Sequence, residues 1–213
     1  MLNDGRHAKS THNMTTVMQS GSASARTRRK EESRRKILDA AAKLFRLHGI
    51  DAVGVDAIMH EAGLTHGGFY GHFSSKEALA AEVCADELRR SAERWAKYAD
   101  ELGGTDALLK IVGNYLRPEH VQKGDSGCVL PVLGSEIARR QGACSALAGT
   151  VRGMAETLER LLPATDAGQK AGLAALACMV GAVMLARLAD EPGLRDQVLD
   201  AARSAILGQL SAA

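Results

Sequence analysis

Between Thr65 and Lys76 the chain reads THGGFYGHFSSK, a stretch that sets several hydrogen-bonding side chains beside very little bulk. Imidazole, phenol and hydroxyl groups donate to or accept from base edges and phosphate oxygens, and Gly67 and Gly68 leave bare backbone that a rigid partner can approach. Upstream, Arg26 to Lys36 read RTRRKEESRRK, a basic block interrupted only by Glu31 and Glu32 in a chain whose formal net charge is +2. Charge gathered at one end of a nearly neutral chain points to a polyanionic partner there.

The thiols are the other reactive groups. Cys84, Cys128, Cys144 and Cys178 stand far apart, with no CxxC pair and no Cys/His cluster at zinc spacing, which reads as free thiols in a reducing cytoplasm and no metal site. Cys128 differs from the other three. Gly127-Cys128 follows a polar loop and is expected to open a helix, whose backbone N–H groups favour a thiolate. Bond-making machinery is missing from the sequence: there is no GxxxxGK[ST] phosphate loop, no GxSxG elbow and no evident His base for Cys128. The expectation is a protein that is not an enzyme and needs no cofactor.

These groups need a scaffold, and the apolar periodicity predicts an all-α one. With 4 prolines in 213 residues and no alternating β-branched runs, the stripes are helical. Ile37, Ala40, Ala41, Leu44 and Phe45 predict a helix from about Arg28 to Leu47, closed by His48 and a left-handed Gly49. A short helix over Val55 to Ala62 follows, then a turn at Gly63-Leu64, then a third helix capped by Thr65. That third helix would bury Phe69 and Phe73 and turn His66, Gly67, Gly68, Tyr70 and His72 outward. Ser74 and Glu77 form an expected capping box for a long fourth helix. Further helices are expected over 106–116, 128–140, 143–162, 166–189 and 194–210, with a loop over 118–127.

Residues 1–25 are polar and read as a disordered tail without a signal peptide, with Met14 and Met18 as alternative starts. The uncharged run Ala171 to Ala186 is shorter than the roughly twenty residues a bilayer needs and reads as a buried helix, with no membrane implied. The expected division is a tail at 1–25, a DNA-binding helix-turn-helix domain at 26–75 and a helical sensing and dimerisation domain at 76–213. Two short helices joined at a glycine-containing turn form a helix-turn-helix, whose second helix enters the major groove.

The run AAAKLFRLHGIDAVGVDAIMHEAGLTHGGFYGHFSSKEALAAEV resembles the TetR family of regulators. It carries Phe45-x-x-x-Gly49, Ile58-x-x-x-Ala62-Gly63, Phe69-Tyr70-x-His72-Phe73 and Ser75-Lys76-Glu77-x-Leu79. Two positions depart from that pattern: Gly54, where a capping Thr is common, and Met59, where a small Ala is common. The resemblance implies that His66, Gly67 and Gly68 lie on base edges, with Tyr70, His72 and Lys76 on phosphates; Thr65 belongs to the same surface. Arg26, Arg28, Arg29 and Lys30 would form a basic arm touching the DNA backbone or minor groove.

It further implies a homodimer that pairs the last two helices across a twofold axis. One stripe would run through Ala171, Ala175, Cys178, Ala182 and Leu185, with Gly172 and Gly181 allowing close approach, and the other through Val198, Ala201, Ala202, Ala205 and Ile206. A small-molecule effector would sit among the middle helices, where Trp95, Tyr98, Tyr115 and Met154 are expected lining residues or core. GDSGCVLPVLGSEIARR resembles the matching segment of family members that sense electrophiles through a cysteine, which makes Cys128 the sensor candidate. The function implied is a cytoplasmic, dimeric repressor released from a palindromic operator by an effector or by thiol modification. A helical adaptor and a small-molecule-binding enzyme are the alternatives.

Overall fold

A computed structural model describes residues 12–122, 127–140, 143–163 and 170–211. In order, the helices are α1 (His12–His48), α2 (Val55–Glu61), a 3-10 turn (His66–Gly71), α3 (Lys76–Leu102), α4 (Gly104–Tyr115), α5 (Pro118–Gln122), α6 (Leu130–Ala138), α7 (Ala143–Leu161), α8 (Ala171–Leu188) and α9 (Pro192–Leu207). No strand occurs among the described residues, so the all-α expectation holds.

The expected apolar stripes build the N-terminal core. Ile37, Ala41 and Phe45 of α1, Ile58 and Met59 of α2, Phe69 of the 3-10 turn and Leu79 of α3 are all fully buried together. Gly49 ends α1 as expected: at φ +79 its N–H returns to the Phe45 carbonyl at 2.8 Å, a conformation that a side chain would strain. Ion pairs then hold α1 on α3 through Arg34–Glu82, Arg35–Asp86 and Arg46–Glu87. The last of these is almost sequestered from solvent, with side-chain exposures of 6% and 18%, so removing one partner would leave an uncompensated charge.

Several boundaries differ from expectation. α1 begins at His12, so 12–25 continue a helix rather than a tail, and Arg28 and Arg29 sit inside it rather than on an arm ahead of it. Extending an existing helix adds one hydrogen bond per residue without a new nucleation cost, which lets a polar stretch stay helical. Residues 1–11 lie outside the described residues. The cap of α3 is Ser75, whose Oγ accepts the Ala78 N–H at 3.1 Å, and not Ser74 with Glu77. The third element is a 3-10 turn rather than an α-helix, in keeping with three glycines in six residues.

In the body, α3 packs on α7, α7 on α8 and α8 on α9. A short helix, α5, occupies the expected loop, opened by Pro118, whose missing N–H suits a first turn. α8 is apolar on every side, and periodicity therefore misjudged its faces. Ala175 and Ala182, expected at a subunit seam, are buried within this chain. Gly172 also faces inward, because a Cβ there would collide with the Ala155 carbonyl oxygen of α7, whereas nothing lies near Gly181. The outward face of α8 carries Leu173, Ala177, Met184, Leu185 and Leu188. On α9, Ala202 and Ile206 are buried in the chain, while Leu194, Ala201 and Ala205 stay exposed.

Candidate nucleic-acid interface and effector cavity

The 3-10 turn stands on two buried rings, Phe69 and Phe73, whose centroids lie 5.8 Å apart. Those anchors turn the rest of the segment outward. Thr65, His66, Gly67, Gly68 and Tyr70 are exposed, Tyr70 by 66% with its ring edge-on to Phe69 at 5.3 Å. Thr65 takes the N-cap backbone position, but its side chain caps nothing. A Cβ at Gly67 would meet nothing within 4 Å, and one at Gly68 would meet only the Met59 Cε at 3.5 Å, an ordinary contact. The fold therefore does not require these glycines, and what their bareness provides is backbone open to a partner. Met59, larger than the pattern's usual Ala, fills the space beneath Gly68.

His66 has a partner that the sequence reading left out of the site. Its Nδ1 meets the carboxylate of Asp56 in the first turn of α2, whose own N-cap, Gly54, supplies no side-chain cap. The carboxylate holds the ring through Nδ1 while more than half of the side chain stays exposed. His72 is less outward than expected: it is half-buried, its Nδ1 is enclosed without a partner, and burial, then Lys30 and Arg34, push its pKa down. Arg34 lies over the Phe73 ring, 4.5 Å from its centroid, so the basic stretch of α1 runs beside the turn. Arg26, Arg28, Arg29 and Lys30 are all exposed there, and none makes an ion pair among the described residues.

Lys76, expected on phosphates, is engaged within the chain. Its Nζ donates to the carbonyls of Ile50, Asp51 and Val53 at 3.1, 3.3 and 3.2 Å, which uses all three ammonium donors on the α1–α2 loop. The same loop is held from the body. The Glu136 carboxylate of α6 accepts the Ile50 N–H at 2.9 Å, and Arg140 just beyond α6 pairs with Asp51. The loop over residues 49–53 is thus the joint between the reader and the body.

Next to the residues that lead into α6 a cavity of about 430 Å³ opens, lined among others by Trp95, Tyr98, Tyr115, His120 and Cys128. Three of the four expected lining residues are therefore there, while Met154 is fully buried core elsewhere. His120 closes the cavity floor: Nδ1 donates to the Tyr115 carbonyl at 2.5 Å and Nε2 accepts the Cys128 N–H at 2.9 Å, an arrangement only the neutral ring can make. Burial first, then Arg187, Arg117 and Arg94, lower its pKa. Gly127, at φ +101, lets the chain pass so close that a Cβ would collide with the His120 ring.

Cys128 is not at a helix start. α6 begins two residues later, with Pro131 in its first turn, and the Cys128 N–H is taken by His120. The thiol is buried against the Tyr115 hydroxyl, and burial raises its pKa, the direction opposite to the one a thiolate needs. Cys84 is buried as well, its pKa pushed up to about 12, and the side chain of Cys144 lies outside the described residues.

Residues 37–83 match the description "Bacterial regulatory proteins, tetR family". The chain is 46% identical over 85 residues to the HTH-type transcriptional regulator LmrA of Bacillus subtilis, covering 37% of this chain and 45% of that one. It is 31% identical over 125 residues to an HTH-type transcriptional regulator of Mycobacterium tuberculosis, covering 57% of this chain and 62% of the relative. These matches span less than two thirds of the curated relatives' own length. A solved TetR-family regulator from Streptomyces coelicolor superposes with a TM-score of 0.68 at 22% identity, covering 85% of this chain and 97% of that one. Residues 37–83 therefore carry the segment shared by the tetR family of bacterial regulatory proteins, and the chain around it has the fold of a solved TetR-family regulator.

Proposed function

We propose that the chain is a dimeric, cytoplasmic repressor of transcription whose readers, one per subunit, occupy successive major grooves of a palindromic operator. The observation that carries this reading is the exposed turn His66–Gly71 standing on buried Phe69 and Phe73 beside the free cations of α1. In it, His66, Gly67 and Gly68 meet base edges and Thr65, Tyr70 and His72 line the groove wall, while Arg28 and Arg29 neutralise phosphates. Lys76 serves by holding the loop over 49–53 that sets the pitch of α2 and the turn. The reader comprises 26–75 and the sensing and dimerisation part 76–213, with α3 shared between them.

Two readers need a twofold partner, and the uncovered apolar stripes of α8 and α9 supply the seam, as a four-helix bundle between subunits. The cavity next to the residues that lead into α6 takes the effector, and its occupancy moves α6, which grips the reader loop through Glu136 and Arg140. A second trigger, favoured by the position of Cys128 in the cavity lining, is modification of that thiol, which would add bulk between Tyr115 and His120. Selection of bound fragments from genomic DNA with the purified protein tests the whole reading. A short palindromic duplex should emerge, bound with a steep salt dependence and repressing a reporter placed behind it. Recovery of no preferred duplex would leave the helical adaptor in its place.

A further inference from the structure

The effector cavity has a charge pattern that limits what it can hold. Arg94, Lys110 and Arg117 are among its lining residues, together with Ser91 and Asn114, and among the described residues no Asp or Glu lines it. None of the three cations makes an ion pair among the described residues. Arg94 has one bond, from Nη2 to the Ser91 Oγ at 2.9 Å, so most of its guanidinium donors are free. Lys110 also borders a shallower neighbouring groove with Glu101 and Asp106, so Arg94 and Arg117 are the cations that belong to this cavity. The positive field reaches His120, whose pKa burial lowers, against the raising effect of its bond to the Tyr115 carbonyl, with Arg187, Arg117 and Arg94 adding to the lowering.

The apolar part is aromatic. Trp95 and Tyr115 meet edge-on at 5.7 Å, Tyr115 and His120 at 4.6 Å, and Tyr98 joins them in the lining. A flat ring placed among these side chains finds edges and faces to pack on, and a carboxylate on that ring finds guanidinium forks. We propose that the cavity binds a small aromatic carboxylate, with its ring against Trp95 and Tyr115 and its carboxylate on Arg94 and Arg117. This rests on the reading of the cavity as the effector site. The volume, about 430 Å³, suits one such molecule. Neutral and cationic aromatics are disfavoured because each leaves the guanidinium groups without an anion or places a like charge beside them.

Trp95 is the only tryptophan in the chain, so its fluorescence reports occupancy of this cavity directly. Titrations with benzoate, its neutral counterpart benzamide and the cation benzylamine, read by Trp95 quenching and calorimetry, should rank benzoate about tenfold or more ahead of the others. Arg94→Gln with Arg117→Gln should abolish that preference while leaving benzamide binding unchanged, and the exposed Arg117→Gln alone should reduce it. Benzamide or benzylamine binding as well as benzoate overturns the proposal, as does a benzoate preference that survives both substitutions, or no quenching by benzoate. Following the selected duplex in the same titrations separates the two readings. Benzoate binding that releases DNA upholds both, and binding that leaves the DNA complex intact upholds the ligand class while overturning the effector role.

Discussion

The reader and the cavity are built by opposite means. The reader draws its exposed groups from one short segment, 65–72, and presents them on rings from the same segment. The cavity gathers Arg94, Tyr115, Arg117 and Cys128 from α3, α4 and the connections on either side of α5. A local constellation facing a partner of constant shape leaves its mark in consecutive residues. A constellation assembled by packing does not, and its ligand can change with a few substitutions that spare the fold. The two regions meet at the loop over 49–53, where Glu136 and Lys76 hold the Ile50 backbone.

The largest expected effect breaks the reader from below. Phe69→Ala removes a fully buried ring and should cost about 3–5 kcal/mol, abolish DNA binding and leave the cavity able to bind benzoate. Thermal melts followed separately by Trp95 fluorescence and by DNA binding would show whether the two regions fail apart or together.

Lys76→Ala comes next, because it strands the carbonyls of three loop residues, at about 2 kcal/mol. If Lys76 positions the loop, DNA affinity falls but its logarithmic salt slope stays unchanged, whereas Arg29→Ala should lower that slope by about one. A slope that drops for Lys76→Ala would return it to the phosphate-contacting set.

Glu136→Ala removes the acceptor of the Ile50 N–H and should cost about 1 kcal/mol. Its sharper consequence is for coupling: ligand should still quench Trp95 yet release DNA less effectively than from the wild type. Full release from this variant would move the transmission route away from α6.

The smallest effect is on pH. His120 and His72 both have lowered pKa values in the folded chain, so the unfolded chain binds more protons just below the ordinary imidazole value of about 6.5. Their contribution to stability is therefore complete above that value and is lost as pH falls through the lowered folded values. Protonation of His120 would also set Nε2–H against the Cys128 N–H it now accepts. Denaturant melts across this range should show a decline on acidification that His120→Asn reduces and that His72→Asn reduces less.

Legibility in the sequence followed the same divide. The apolar stripes of α1 and α2, the turn at Gly63 and the anchors Phe69 and Phe73 were readable, because each is set by neighbours within one or two helical turns. Cys128 was misplaced at a helix start because its N–H donates to His120, eight residues upstream, and α6 opens two residues later with Pro131 in its first turn. The loop bonds of Lys76 were not legible because its partners lie 23 to 26 residues earlier, and Asp56 was omitted because its partner His66 is ten residues later. The burial of Ala175 and Ala182 within the chain was not legible because small apolar residues surround α8, so only packing on α7 reveals which of them are already covered.

The central claim, that the turn His66–Gly71 reads bases, is tested most directly by fluorescence anisotropy. Wild type, His66→Ala and Tyr70→Phe would each be titrated onto the selected palindrome and onto a scrambled duplex of equal length. His66→Ala should narrow the gap between the two duplexes by about 1–3 kcal/mol, while Tyr70→Phe weakens both about equally. If His66→Ala leaves the gap intact, or lowers binding to both duplexes alike, the turn does not carry the base readout.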